Sequence, residues 1–191
     1  MTGQLSAGLP DDAFLSDGLL TKRVLRAAAL AWLAPRPGEL LWDLGAGTGA
    51  IGIEWCRLDP ANRAVAVERN PERLERIRAN AERHGVAAQI DVVASAIEQA
   101  LPTLPAPDAV FIGGSILATV LDASWDALPA GGRLVAHSVT AESDALLLEA
   151  YHARGGDLTR VAVETAEPIG RFTGFRPART VTAWGVVKPG A

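Results

Sequence analysis

Short apolar runs alternate with longer segments of helical periodicity through the middle of the chain. The apolar runs predict strands at residues 39–44, 64–68, 90–93, 109–112 and 133–138. The segments between and after them predict helices at residues 49–58, 71–84, 95–101, 116–127 and 141–154. Because strands that alternate with helices usually pair in parallel, this pattern predicts an α/β sheet with helices on its faces.

The two ends of the chain depart from that alternation. Residues 21–34 repeat apolar side chains at a helical spacing and end at Pro35, which predicts an added N-terminal helix. Residues 158–164 and 180–187 predict two successive strands, joined by a long connection at residues 165–179. Two strands in succession indicate an antiparallel hairpin at the sheet edge. The whole pattern predicts seven strands in one domain that spans residues 1–191.

Composition narrows the class of protein. The 18 Lys and Arg residues against 22 Asp and Glu residues give a net charge of -4, which offers no general attraction for nucleic acid. No apolar run approaches the roughly 20 residues of a membrane helix, and the first residues lack the features of a signal peptide. A single cysteine excludes an internal disulfide and fits a reducing compartment. We therefore expect a cytoplasmic protein without nucleic-acid or membrane partners and without a metal.

A glycine-rich loop follows the first predicted strand and precedes the first helix of the alternating pattern. It consists of Gly45, Ala46, Gly47, Thr48 and Gly49. Glycines at such a position permit a tight turn and let a ligand approach the N–H groups at the start of the helix. Because Ala follows at position 50, the loop also fits the dinucleotide pattern, and it leaves both S-adenosylmethionine (SAM) and NAD open.

Two carboxylates flank this loop at strand ends. Asp43 lies just before the first glycine, where it suits the cationic amino group of a methionine better than a pyrophosphate, and this favours SAM. Glu68 closes the second strand, where its carboxylate can accept hydrogen bonds from ribose hydroxyls of either cofactor. The alternative for the whole arrangement is a glycine-rich turn that holds no ligand.

Small residues follow the third and fourth strands at the same expected edge of the sheet. Ala94, Ser95 and Ala96 leave room for an adenine ring, and Ser95 could equally cap the next helix. Gly113 and Gly114 permit close approach by a substrate, although a flexible turn is an equally good interpretation.

Candidate substrate contacts lie later in the chain. His137, near the end of the fifth strand, is either a substrate contact or a packed strand residue. The long connection concentrates Arg171, Arg176 and Arg179 beside two phenylalanines, a composition that suits a flat ligand bearing carboxylates. An ordinary hairpin loop or a subunit contact is the alternative for this connection.

With these residues identified, the chain resembles the precorrin methyltransferases of cobalamin biosynthesis, the CbiT family, and more closely the C-terminal half of the fused enzyme CobL. The resemblance runs nearly end to end. It is carried by residues 9–14, 20–23, 42–49, 111–114, 134–136, 139–140 and 167–171. The chain departs from the family pattern at Glu68, Ala94 and His137, where relatives often carry Asp, Gly and Asn.

The resemblance implies a Rossmann-like class I SAM-dependent methyltransferase fold. It also implies the removal of carbon dioxide from the ring C acetate of a precorrin and methylation of the meso carbon between rings C and D. Thr21 and the loop from Gly45 to Gly49 would hold the methionine and ribose of SAM, Glu68 the ribose hydroxyls, and Ala94 to Ala96 the adenine. The substrate is expected near Lys22 and near the arginines of the long connection. No catalytic acid or base is assigned.

The resemblance further implies a homotetramer and, in the fused relatives, a covalently linked N-terminal tetrapyrrole methylase domain. Three other functions share parts of the pattern. An RNA methyltransferase should show a basic stripe or an Asn/Asp-Pro-Pro-aromatic motif, and the chain has neither. An NAD-dependent oxidoreductase would share the glycine loop, and a non-catalytic binding module would share the fold.

Overall fold

The structure, a computed structural model, describes residues 7–114 and 116–190. The helices are α1 (Arg23–Leu33), α2 (Ala50–Leu58), α3 (Pro71–Arg83), α4 (Ile97–Ala100), α5 (Ala118–Ala127) and α6 (Ala141–Arg154). The strands are β1 (Leu40–Leu44), β2 (Arg63–Glu68), β3 (Ile90–Ala94), β4 (Ala109–Ile112), β5 (Arg133–Ser138), β6 (Asp157–Val161), β7 (Glu164–Ile169), β8 (Phe172–Pro177) and β9 (Val181–Val187). Short 3-10 turns occur at Asp11–Ala13, Ala87–Gln89 and Leu101–Thr103.

Seven strands form one sheet in the order β3-β2-β1-β4-β5-β9-β6. Strands β1 to β5 are parallel, whereas β9 is antiparallel to both of its neighbours, β5 and β6. The predicted α/β class, the seven-stranded sheet and the antiparallel edge are thus confirmed. The order reverses between β1 and β4, and in open α/β sheets ligands bind at the carboxyl ends of the strands beside such a reversal.

The prediction that residues 165–179 form a long connecting loop is wrong. Most of it forms β7 and β8, a two-stranded antiparallel hairpin separate from the main sheet. Ile169 pairs with Phe172 across a two-residue turn, in which Gly170 has a φ of 58°. Both faces of this hairpin are largely exposed, so its side chains lack the alternation of apolar and polar residues that identifies a half-buried strand.

Both faces of the main sheet are covered, which fixes the strand ends that carry the site. Leu41, Phe111 and Val135 pack on one face with residues of α1, α2 and α3. Their strand neighbours pack on the other face with residues of α4, α5 and α6. The alternation of side chains along each strand explains this division, since successive residues point to opposite faces.

Helix starts near the strand ends follow local sequence signals to different degrees. Asn70 caps α3 as its side chain accepts the N–H groups of Glu72 at 2.9 Å and Arg73 at 3.3 Å. The predicted capping role of Ser95 is wrong, because α4 begins later and the Ser95 hydroxyl donates to the carbonyl of Ala96. No helix among residues 7–114 and 116–190 combines the length and apolar character that crossing a bilayer requires.

Candidate cofactor and substrate site

The glycine loop between β1 and α2 has a backbone that favours glycine at three positions. Gly45, Gly47 and Gly49 have φ values of 74°, 60° and 75°. A Cβ atom at Gly49 would also lie 3.0 Å from the Ile77 side chain, so the last glycine permits close packing of α2 against α3. The loop is held to β2 because the N–H groups of Gly45 and Ala46 both donate to the Val67 carbonyl at 3.0 Å.

Asp43 lies beneath this loop and is only 1% exposed. One of its oxygens accepts the Gly52 N–H at 3.0 Å, so the carboxylate satisfies a free donor in the first turn of α2. Burial raises the pKa of Asp43 to about 7, against the lowering effect of the Gly52 hydrogen bond and with a smaller raising effect from Glu68. Asp43 therefore supports the start of α2 as well as lining the site.

Glu68, at the end of β2, binds the loop through its side chain and is 7% exposed. One carboxylate oxygen accepts the Gly47 N–H at 3.0 Å, and the other accepts the N–H groups of Arg69 and Asn70, both at 2.9 Å. A carboxylate has about four acceptor positions, so these three bonds leave capacity for a ligand hydroxyl. Glu68 thus fixes the shape of the loop and still offers an acceptor.

A cavity of about 420 Å³ opens at the carboxyl ends of β2, β3 and β4. Six of the predicted site residues line this smaller cavity: Gly45, Glu68, Ser95, Ala96, Gly113 and Gly114. Arg69, Arg73, Glu98 and Leu117 complete much of its wall. Ala94, the last residue of β3, does not line this cavity, although it was predicted to lie beside the adenine. The smaller cavity thus combines an acidic side chain with small residues at a strand edge.

A second cavity of about 480 Å³ lies on the other side of the glycine loop. The predicted residues that line this larger cavity are Thr21, Lys22, Asp43, Gly45, Ala46, Gly47, Thr48, Gly113, His137 and Arg179. Gly45, Arg73 and Gly113 line both cavities, so the two adjoin at the loop after β1. Glycine is needed at this junction, because a Cβ atom at Gly113 would lie 2.9 Å from the Phe111 ring.

His137, on β5, is the buried imidazole of the larger cavity, with 8% of its surface exposed. Its ring lies edge-on to that of Phe111, with 5.1 Å between the ring centroids. Neither ring nitrogen has a hydrogen-bond partner among the described residues. Burial lowers the pKa of His137 to about 4, so the ring is neutral at pH 7.

The three candidate arginines of the long connection separate in the structure. Arg179, just before β9, lines the larger cavity. Arg171 stacks over Phe172 at 5.0 Å, and Arg176 lies 3.2 Å from the Glu167 carboxylate, both on the exposed hairpin. The structure therefore places Arg171 and Arg176 outside both cavities.

The residues that hold the N-terminal segment, residues 7–22, against the site were not predicted from the sequence. The fully buried Arg26 of α1 donates to the Glu54 carboxylate of α2 at 2.8 Å, and Glu54 accepts the N–H groups of Gly8 and Leu9. Each of these two charges interrupts an apolar helix face, a signal that could have indicated a buried pair.

A second contact ties the same segment to the glycine loop. The buried Asn80 of α3 exchanges hydrogen bonds with the Leu15 backbone at 2.8 and 3.0 Å and donates to the Thr48 carbonyl at 3.0 Å. On the surface, Arg73 donates to Asp17 at 2.9 Å and lowers the pKa of that carboxyl. The N-terminal segment is thereby positioned so that residues 18–22 form one wall of the larger cavity.

The sequence and structure of the chain are similar to those of known proteins. A family profile described as a precorrin methyltransferase domain matches residues 12–188. The precorrin-6Y C(5,15)-methyltransferase (decarboxylating) of Sinorhizobium sp. is 49% identical over 186 residues, which cover 96% of this chain and 45% of that protein. The chain thus spans less than half the length of that relative.

Two further relatives match over nearly their whole length. A probable cobalt-precorrin-6B C(15)-methyltransferase (decarboxylating) of Pyrobaculum calidifontis is 32% identical, over 93% of this chain and 95% of that protein. The crystal structure of the C-terminal domain of precorrin-6Y C5,15-methyltransferase from Rhodobacter capsulatus superposes with a TM-score of 0.91 at 40% identity, covering 96% of this chain and 99% of that one. The predicted Rossmann-like methyltransferase fold is confirmed, and the chain belongs to the precorrin methyltransferase domain family.

Proposed function

We propose that this chain is a SAM-dependent enzyme that removes carbon dioxide from the ring C acetate of a precorrin and methylates the meso carbon between rings C and D. The observation that carries the proposal is the pair of adjoining cavities at the carboxyl edge of the sheet, one walled by Glu68 and the other by Asp43 and His137. The glycine loop lies between them, so a cofactor can span the junction with a substrate beside its reactive end.

The cofactor fits the residues that are present. Glu68 offers an acceptor for ribose hydroxyls, and the small side chains of Ser95 and Ala96 leave space for adenine. Thr21 and Asp43, with the loop from Gly45 to Thr48, line the larger cavity where the methionine part would lie, whereas Gly49 does not line it. Bound SAM supplies an electrophilic methyl group. The walls of the two adjoining cavities would hold SAM beside the substrate and limit the access of water to its methyl group.

The names of the relatives support a division of activities. The relative matched along 95% of its length is named for C(15) methylation and decarboxylation, whereas the relative matched along 45% is named for C(5,15) methylation and decarboxylation. The functions common to both names are methylation at C15 and decarboxylation. We therefore assign these two activities to this chain and leave methylation at C5 outside it.

Decarboxylation and methylation are compatible with a site built from the residues seen here. When the carbon–carbon bond to the carboxylate breaks, the conjugated macrocycle takes up the electron pair. The methylene carbon that remains takes up a proton, and the electron-rich meso carbon would lose its own proton as it accepts the methyl group that a SAM held by Asp43, Glu68 and the glycine loop would supply. Each step needs an oriented, partly dry cavity more than a strong acid or base, in keeping with a His137 that is neutral at pH 7.

Two partners belong to the same proposal. Ile169, Phe172 and Phe175 of the hairpin are 61 to 68% exposed, and an isolated two-stranded hairpin is only marginally stable in water. We propose that further copies of this chain cover the hairpin, and the family resemblance supports a homotetramer. The chain spans 45% of the Sinorhizobium relative, which is compatible with the second partner that the family resemblance implies, a covalently linked N-terminal tetrapyrrole methylase domain.

The function is tested by incubating the purified protein with SAM and a precorrin that still carries the ring C acetate and lacks the methyl group at C15. The products are analysed by mass spectrometry. The expected product has lost one CO2 and gained one CH2. Loss of CO2 without SAM would separate the two steps and still support the proposal. A substrate that is competent with a characterised relative but unchanged by this protein would refute it.

A further inference from the structure

One end of the larger cavity is formed by residues of β5 and β9 and the residues next to them, and these strands lie away from β2 and β3 in the sheet order. These strands are antiparallel, with Ser138 opposite Thr182, so the start of β9 lies beside the end of β5. The cavity wall there consists of His137, Val139, Ala178, Arg179 and Val181. This end is therefore mostly apolar, with one imidazole and one guanidinium as its polar groups.

The imidazole of His137 is a buried polar group that the protein itself does not satisfy. More than nine-tenths of its surface is buried, and neither nitrogen has a partner in the described parts of the chain. Buried polar groups in folded proteins are nearly always hydrogen-bonded, so exceptions require an explanation. A ligand in the cavity is the explanation that the position of His137 favours.

The guanidinium of Arg179 is the second polar group at this end, and the other charged groups of the cavity are already engaged. Lys22 lies 3.7 Å from Asp11, Arg73 donates to Asp17, and Asp43 accepts from Gly52. Within residues 7–114 and 116–190, Arg179 forms no salt bridge. The cavity thus retains positive charge at the end where His137 lies.

We propose that His137 and Arg179 together bind one carboxylate side chain of the substrate, with His137 as a neutral hydrogen-bond donor and Arg179 as the countercharge. This inference rests on the proposed function, since it names a contact to the tetrapyrrole substrate. The division of roles follows from burial: a neutral imidazole can lie in an apolar wall without a counter-ion, whereas the more exposed guanidinium stays in contact with water. Together they position the macrocycle relative to the junction at Gly45 and Gly113.

The test compares steady-state kinetics of the variants His137→Leu and His137→Asn with those of the wild type. Leucine cannot donate a hydrogen bond, and we expect KM for the tetrapyrrole to rise on the order of 10- to 100-fold with little change in kcat. Asparagine retains a neutral donor, and we expect it to restore most of the affinity. Affinity for S-adenosylhomocysteine should stay at the wild-type value in both variants. Arg78→Gln, an exposed substitution on α3 outside both cavities, is the matched control for the Arg179→Gln variant described next.

A double-mutant cycle with Arg179→Gln asks whether both side chains bind the same group. If they do, the KM increase of His137→Leu/Arg179→Gln will be smaller than the product of the two single increases. Independent effects, or a KM unchanged in His137→Leu, would overturn the inference. Because Arg179 is exposed, we expect Arg179→Gln to fold. Its KM for the tetrapyrrole therefore tests the contact even if His137→Leu does not fold. A wild type that binds no S-adenosylhomocysteine and turns over no substrate would instead refute the proposed function.

Discussion

Single carboxylates at strand ends organise the site, and their roles follow only in part from the sequence. The order of strand, acidic residue and glycines was enough to identify Asp43 and Glu68 as candidates. It could not show that each carboxylate already binds backbone N–H groups, Gly52 for Asp43 and Gly47 for Glu68. Those contacts depend on how the loop folds back over the sheet, which is a property of the tertiary structure.

The variant Glu68→Gln tests the role of Glu68 in cofactor binding. The amide keeps the shape of the side chain but places an NH2 group among N–H donors that now point at a carboxylate. We expect affinity for S-adenosylhomocysteine to fall about tenfold or more, as titration calorimetry would measure. Glu75→Gln, exposed on α3, should leave that affinity unchanged. Equal affinities in all three proteins would argue against a cofactor role for Glu68.

The variant His137→Asn tests the burial of the imidazole through the pH dependence of stability. The pKa of His137 is lowered from 6.5 to about 4, so between these values the unfolded chain binds more protons than the folded one. The penalty for burying the ring is absent above pH 6.5 and grows as the pH falls toward 4. Asparagine does not titrate. As the pH rises from 4 to 6.5, the free energy of unfolding of the wild type should therefore rise relative to that of the variant, by on the order of 2–3 kcal/mol.

Urea unfolding of both proteins at several pH values measures this difference. The raised pKa of Asp43 makes an opposite contribution, with stability falling as the pH rises toward 7, but it is present in both proteins and cancels. Parallel stability curves for wild type and His137→Asn would show that His137 titrates normally and is not desolvated.

At the scale of elements, prediction succeeded where the signal is local. Helix α3 follows from Asn70, Pro71 and the apolar spacing after them. The hairpin of β7 and β8 was missed because both of its faces are exposed and two prolines interrupt its strands. Its turn did carry a signal, a Gly-X pair between Ile169 and Phe172 that suits a two-residue hairpin loop.

The N-terminal segment depends on the buried pair of Arg26 and Glu54, and Glu54→Ala tests this dependence. Removal of the carboxylate leaves the Arg26 charge without its buried partner and frees the N–H groups of Gly8 and Leu9. We expect a loss of about 3–5 kcal/mol in the free energy of unfolding, measured by urea denaturation.

The control for this pair is Arg26→Met/Glu54→Leu, which removes both charges. It should be more stable than Glu54→Ala, because no unpaired charge remains buried. Some loss should persist, since Arg26 also donates to Asp11 and to the Leu9 carbonyl. A Glu54→Ala protein within about 1 kcal/mol of the wild type would show that this pair does not hold the segment.

At the scale of the whole molecule, the alternation of strands and helices predicts the fold class. It does not predict which strands lie next to one another at the antiparallel edge of the sheet. The insertion of β9 between β5 and β6 required pairing between distant segments. The same holds for the cavities, whose walls combine residues 18–22 with β4, β5 and the residues before β9. Such contacts have no local periodicity. The family resemblance implied that Thr21 and Lys22 lie near the site, but it gave neither the strand order nor the cavity walls.

Oligomerisation through the hairpin is tested with Phe172→Ser/Phe175→Ser. These rings are among the most exposed apolar side chains of the described residues, and their burial between copies would stabilise an assembly. By light scattering after size exclusion, we expect the wild type to be oligomeric and the variant to dissociate. Leu148→Ser, an exposed apolar substitution on α6, should leave the assembly intact. A monomeric wild type, or a variant with unchanged mass, would contradict the proposed role of the hairpin.

The central claim is that the two cavities around the glycine loop form a SAM site, and one calorimetric experiment tests it most directly. The purified protein is titrated with S-adenosylhomocysteine and, separately, with NAD. The arrangement of Asp43, the glycine loop and Glu68 predicts one S-adenosylhomocysteine bound per chain and no heat from NAD binding. Binding of NAD without binding of S-adenosylhomocysteine would contradict the account.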